Sequence, residues 1–264
     1  MQVDMLVKRF FEELGKLYPK NRPFEMRGSY GESATSPALP PYRAMFSGSC
    51  MRSFCESYRL PHVDEFIEDF MVALRGKMAH ERHGLKLKRV ASTLLEEDGT
   101  PTPGLLHRLS SRYRDGIMHT HLYCVLAQAY EDQRKVGTVI MDPRVDFKMK
   151  TDITVVGLGR VVRVDIGQGS KALLASRADA ERLAKRNAGG STEKGNPFLL
   201  NPVVRVLNKG NAVRDFRGLR VFGETAVDAA LREIDALLGV SEEEALSYRD
   251  MAYVRSCDLP GARG

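Results

Sequence analysis

The stretch KMKTDITVVGLGRVVRVDIGQGSK restricts what this chain can fold into more than any other part of it. From Val145 to Val156 the residues alternate, with Val145, Phe147 and Met149 set against Asp146, Lys148 and Lys150. Arg160 to Ile166 (RVVRVDI) is rich in β-branched residues, and Gly157 to Gly159 lies between the two runs. Period-two patterning on both sides of a glycine-rich connection predicts a β-hairpin. On its second strand Val162, Val164 and Ile166 form one face, and Val161, Arg163 and Asp165 form the other.

Around this hairpin the spacing predicts both helices and strands. Val3 to Leu17 reads as a helix, with Val3, Leu6, Val7, Phe10, Leu14 and Leu17 on one stripe. Pro19 to Ser49, rich in Pro, Gly and Ser, reads as a long loop. A second helix is predicted from Val63 to Leu87 and a third from Ile117 to Arg134, with a turn at EEDGTPTPG between them. Thr138 to Met141, Val203 to Leu207 and Leu219 to Phe222 read as strands. Lys171 to Asn187 and Ala226 to Leu238 read as helices. This order predicts an α/β (α+β) fold with a central mixed β-sheet flanked by helices.

Composition narrows the function. Of 264 residues, 43% are hydrophobic and 28% charged, enough apolar material for a core. Lys and Arg outnumber Asp and Glu by 40 to 34, a net charge of +6, which favours polyanionic partners such as nucleic acid. Four scattered cysteines, Cys50, Cys55, Cys124 and Cys257, do not form a disulfide framework. The N-terminal sequence lacks a secretory apolar region, and no window reaches the roughly 18 apolar residues of a membrane span. The expected setting is soluble, reducing and cytoplasmic, without a membrane partner.

The chemistry centres on two carboxylates. Asp152 and Asp165 fall on neighbouring strands of the hairpin. A carboxylate at the end of an apolar strand is costly unless it is solvated, paired or bound to a cation. Two that converge make a site for a hard divalent ion such as Mg²⁺, which activates water and stabilises charge on phosphate. The plainer reading is that each Asp ends a strand or starts a turn.

This hairpin resembles the core of the PD-(D/E)xK nuclease superfamily, in which one Asp sits on a strand and a (D/E)xK triplet on the next. Upstream, FSGSCMRSFCESYRLP followed by ALRGKMAHERH is similar to the N-terminal part of the RecB-like branch. There a Cys-x-Arg segment opens a helix and Gly-x-x-x-His brings a histidine to the metal. The resemblance spans roughly Ser47 to Lys171, by motifs that are short and degenerate. It implies a restriction-endonuclease-like core over residues 50–240. Residues 1–49 would be an N-terminal helix with a Pro/Gly/Ser-rich segment, and residues 241–264 a tail. It implies a divalent-metal-dependent nuclease that hydrolyses phosphodiester bonds with Mg²⁺ or Mn²⁺, on DNA rather than RNA. Its ligands would be His80, Asp152, Asp165 and the carbonyl of Ile166. A phage or mobile-element setting fits small diverged nucleases of this type, and an oligomer or a protein partner stays open.

One departure bears directly on catalysis. The family lysine belongs two residues after the acid, and here that position is Gly167. Gln168 could hydrogen-bond the water, Lys171 could reach back, or Lys185 or Lys150 could supply the amine; Lys171 is preferred. Alternatively the fold survives without chemistry and binds nucleic acid or serves an assembly. A clear Gln-x-x-x-Tyr after the hairpin is also lacking.

Other groups have competing readings. Glu131, at the end of a helix, either approaches the metal or is an ordinary exposed residue. Glu81 points about 100° away from His80 on a helix. His80 and His83, together with His119, His121 and Cys124, could contribute with Cys50 and Cys55 to a zinc site, although small buried hydrophobes are the default for such cysteines. Arg177, Arg182, Lys185 and Arg186 lie on the helix after the hairpin, suited to holding a phosphate backbone. Arg108, Arg112 and Arg114, and later Arg205, Lys209, Arg214, Arg217 and Arg220, are further basic residues. There is no Walker A sequence and no Gly-x-Ser-x-Gly element.

Overall fold

The computed structural model describes residues 6–35, 50, 53–78, 94–133, 136–141, 151–167, 201–207 and 210–241. In chain order its helices are α1 (Leu6–Leu17), α2 (Tyr30–Thr35), α3 (Val63–Met78), α4 (Pro103–Ala127) and α5 (Glu224–Leu238). A π-helical segment, Gln128–Gln133, continues α4. The strands are β1 (Gly137–Ile140), β2 (Ile153–Gly157), β3 (Arg160–Gly167), β4 (Val203–Leu207), β5 (Val213–Phe216) and β6 (Leu219–Phe222). The chain divides into two compact units. One comprises Met1–Glu12, His121–Asp215 and Val221–Gly264; the other comprises Glu13–Thr120 and Phe216–Arg220.

The first unit is built on a four-stranded sheet in the order β1-β2-β3-β4. The β1–β2 and β2–β3 pairs are antiparallel and β3–β4 is parallel, so the sheet is mixed as expected. The β2–β3 connection is a two-residue turn, with Leu158 at φ 50° and Gly159 at φ 72°. Two consecutive positive φ values are the type I′ geometry, whose twist matches that of the flanking strands. The register sets Val139, Ile153, Val155, Val162, Val164, Ile166, Val204 and Val206 on one face, and all eight are buried. Helix α5 packs against β3 and β4, and its buried stripe is Val227, Ala230, Leu231, Ile234 and Leu238. The helix ends at Gly239, whose φ of 82° forms a left-handed cap with its N–H on the Asp235 carbonyl. Tyr130 donates to Asp235 Oδ1 at 2.8 Å and so joins the π-helical segment to α5.

The second unit is helical. Its centre is a relay of hydrogen bonds in an aromatic cluster. The Val63 N–H donates to Tyr18 Oη at 3.3 Å, Tyr18 Oη to Tyr113 Oη at 3.0 Å, and Tyr113 Oη to the Pro61 carbonyl at 2.9 Å. Phe24 and Phe66 pack on the Tyr113 ring with centroids 5.7 and 5.6 Å away.

Three elements differ from the sequence expectation. Helix α2 lies within the Pro19 to Ser49 segment that was expected to be a loop. Helix α4 starts at Pro103, not near Ile117. The Thr102 hydroxyl accepts the Leu105 N–H at 3.3 Å and Pro103 fills the first helical position, so PTPG is a helix start and not only a turn. Strand β5, not anticipated, pairs with β6 through Arg217 (φ 56°) and Gly218 (φ 85°). β1, β4, β6 and α5 lie where expected to within two residues. The expected helix Lys171 to Asn187 and the distal part of the Val63 to Leu87 helix lie outside the described residues.

Candidate functional site

The two hairpin aspartates come together, by a route more specific than strand alternation. Asp152 stands one residue before β2, and its N–H donates to the Val164 carbonyl at 3.2 Å. Ile153 is the register partner of Val164, so two consecutive residues address one, the arrangement of a β-bulge. A bulge re-aims the side chain it carries. The Asp152 carboxylate accepts through Oδ2 the N–H of Ile166, the residue directly after Asp165. Thr151 Oγ1 donates to the carbonyls of Ile153 and Val164, at 2.9 and 3.2 Å, and fixes the same corner. The carboxylate of Asp152 therefore sits against the peptide that joins Asp165 to Ile166.

Asp165 belongs to the second face of the sheet, where three polar residues of β2 and β3 are buried. Asp165, Arg163 and Thr154 are 4%, 3% and 2% exposed. Thr154 is the register partner of Arg163 across β2–β3, and Asp165 is the register partner of Arg205 across β3–β4. Buried polar groups persist where they are paired or serve a ligand. Arg163 is tied to the backbone before β4, with Nε donating to the Asn201 carbonyl at 3.3 Å and its N–H to the Pro202 carbonyl at 2.9 Å. Thr154 Oγ1 is buried without a hydrogen-bond partner among the described residues. Reading the sequence alone singled out neither Thr154 nor the pairing of Asp165 with Arg205. Gly167 ends β3 beside Leu207.

The remaining expected residues divide into two groups. His80, Gln168, Lys171, Arg177, Arg182, Lys185 and Arg186 lie outside the described residues, as do Lys150, Glu81, His83 and Cys257. Glu131 is half-buried in the π-helical segment, and its Oε1 accepts the Val139 N–H at 2.6 Å. β1 is an outer strand of the sheet among the described residues, so this carboxylate caps a strand edge there. His121 accepts the Phe222 N–H through Nδ1 at 3.3 Å and lies 5.4 and 5.3 Å from the rings of Phe10 and Phe11. Burial first, and the Arg214 charge second, push its pKa down to about 3, so the ring is neutral. Cys50 and Cys124 are buried, as small hydrophobes are, and Cys55 is exposed. Among the described residues no group of three or more His, Cys, Asp or Glu could hold a metal, so the zinc reading gains nothing from them.

For a hard divalent ion the described donors are the carboxylates of Asp152 and Asp165 and the carbonyl of Ile166. Mg²⁺ is commonly held by one or two carboxylates, with waters and substrate phosphate filling the other positions, so this donor set fits in kind. No helix among the described residues is long and apolar enough to cross a membrane. Comparison with protein-family models, with curated proteins and with solved structures gives no match.

Proposed function

We propose that the chain is a divalent-metal-dependent nuclease that hydrolyses DNA phosphodiester bonds, with Asp152 and Asp165 as its acidic pair. The observation that carries this reading is the bulge at Asp152, which holds its carboxylate on the Asp165–Ile166 peptide at the end of a hairpin. Two carboxylates and a carbonyl close to the buried Arg163 and Thr154 suit Mg²⁺ or Mn²⁺, which polarises a bound phosphate and lowers the pKa of water. The net charge of +6 favours the polyanion. On this reading the core is restriction-endonuclease-like, and His80 is a further ligand.

Gly167 favours a second reading, in which the same fold binds nucleic acid without cutting it. The two readings part in one experiment. Purified wild type and Asp152→Ala are incubated with single- and double-stranded DNA in Mg²⁺, Mn²⁺ or EDTA. Cleavage lost with EDTA and with the substitution supports the nuclease; cleavage unchanged by Asp152→Ala rejects the assignment. Binding that weakens steeply with salt, without cleavage, supports the second reading.

A further inference from the structure

Phosphodiester hydrolysis places more negative charge on the phosphoryl oxygens than the ground state carries. On the nuclease reading a cation beside the acidic pair stabilises the reacting phosphate, and Gly167 brings none. β3 offers one candidate of its own, Arg163, and that side chain is buried and bonded to the Asn201 carbonyl. β4 offers another. It runs parallel to β3 with Arg205 in register with Asp165. Register partners on adjacent strands project from the same face with backbones about 4.8 Å apart. The alternation of β4 buries Val204 and Val206 and leaves Arg205 exposed, on the sheet face that carries Asp165.

We infer that Arg205 is the catalytic cation of this site, a guanidinium delivered from the neighbouring parallel strand to the scissile phosphate beside Asp165. The inference rests on the nuclease reading and adds a residue to it. In the reaction, water oxygen bonds to phosphorus and the bond from phosphorus to one ester oxygen breaks. That leaving oxygen takes up a proton, and the attacking water gives one up. Arg205 exchanges no proton. Its planar fork binds two phosphoryl oxygens as charge accumulates on them, a geometry that a lysine point charge does not reproduce. A purely structural alternative, in which Arg205 only neutralises buried Asp165, predicts different behaviour from the variants.

The test uses the full chain and a fluorescein-labelled oligonucleotide, single- and double-stranded, under single-turnover conditions in Mg²⁺ and in Mn²⁺. Arg205→Ala is expected to cut ~100-fold more slowly, the loss typical when one transition-state donor is removed. Its melting temperature and DNA affinity are expected to stay close to wild type. Added methylguanidinium is expected to restore much of the rate, and Arg205→Lys to retain part of it. Wild-type cleavage with Arg205→Ala equally fast overturns the role of Arg205 and leaves the nuclease reading standing. A loss that follows a lowered melting temperature and resists methylguanidinium makes Arg205 structural and overturns the inference. Absence of wild-type cleavage in either metal removes the nuclease reading and this inference together.

Discussion

Gly159 and Gly218 hold the second positions of the two tight turns, at φ 72° and 85°, and differ in what surrounds them. In this left-handed region an alanine costs about 1–2 kcal/mol of backbone strain. Restricting the unfolded chain returns about 0.4–1 kcal/mol of that. A Cβ at Gly159 meets nothing within 4 Å. Gly159→Ala is therefore expected to cost about 1 kcal/mol, all of it from the backbone. A Cβ at Gly218 would lie 2.2 Å from the Phe24 carbonyl oxygen, a separation that real contacts do not reach. The Phe24 backbone must retreat, and its N–H gives up the Arg217 carbonyl at 2.8 Å. That bond is worth about 1 kcal/mol. Phe24 is 5% exposed and stacks on Tyr113, so partial loss of its burial adds about 1–2 kcal/mol. Gly218→Ala is thus expected to cost about 3–4 kcal/mol. With a urea m-value of about 2 kcal/mol/M, the two variants differ in midpoint by roughly 1–1.5 M. Urea unfolding followed by far-ultraviolet circular dichroism measures this. Equal midpoints at unchanged m-value would refute the close approach at Gly218.

Burial pushes the Tyr18 phenol up to about 12 and the Tyr113 phenol higher still, against an ordinary 10.0. Their stabilisation is intact below pH 10 and is lost as pH rises from 10 through about 12, so absorbance of ionised phenol should rise together with unfolding. Ionisation of every tyrosine near pH 10 in the folded protein would contradict this. His121 is held down to about 3 from 6.5, so its contribution is present above pH 6.5 and is lost as pH falls towards 3. Its imidazole proton resonances should stay flat between those values while the protein is folded, and titration near the ordinary value would be the contrary result. Tyr130→Phe removes the donor to Asp235 Oδ1, where Asp235 is 3% exposed, and should lower stability by about 1–3 kcal/mol in thermal melts. An unchanged melting temperature would show that this contact carries no weight.

How far the sequence reveals this protein depends on how local each feature is. The β2–β3 hairpin, β4 and α5 were readable because alternation, helical spacing and a glycine turn all lie within the segments they describe. The start of α4 was readable in principle from Thr102 and Pro103, whose capping and first-turn roles were obscured by the turn signals around them. β5 has no apolar alternation, and the positive φ of Arg217 is not announced by its residue type. At the candidate site, the two aspartates follow from local pattern. The bulge that turns Asp152 onto the Ile166 N–H does not, because alternation alone treats Asp152 as one more strand position. The pairing of Asp165 with Arg205 is the least local feature. A parallel neighbour arrives through a crossover, and nothing in the pattern of either strand specifies the register between them.

The central claim is that Asp152 and Asp165 form one acidic site for phosphodiester hydrolysis. Its most direct test is the Mg²⁺ dependence of DNA cleavage by wild type and by Asp165→Ala, each shown to be folded by circular dichroism. The account predicts cleavage by wild type that rises with Mg²⁺ and is abolished by EDTA, and none by the variant. Equal cleavage by both proteins, or none by wild type with Mg²⁺ or Mn²⁺ on any DNA form, would contradict it.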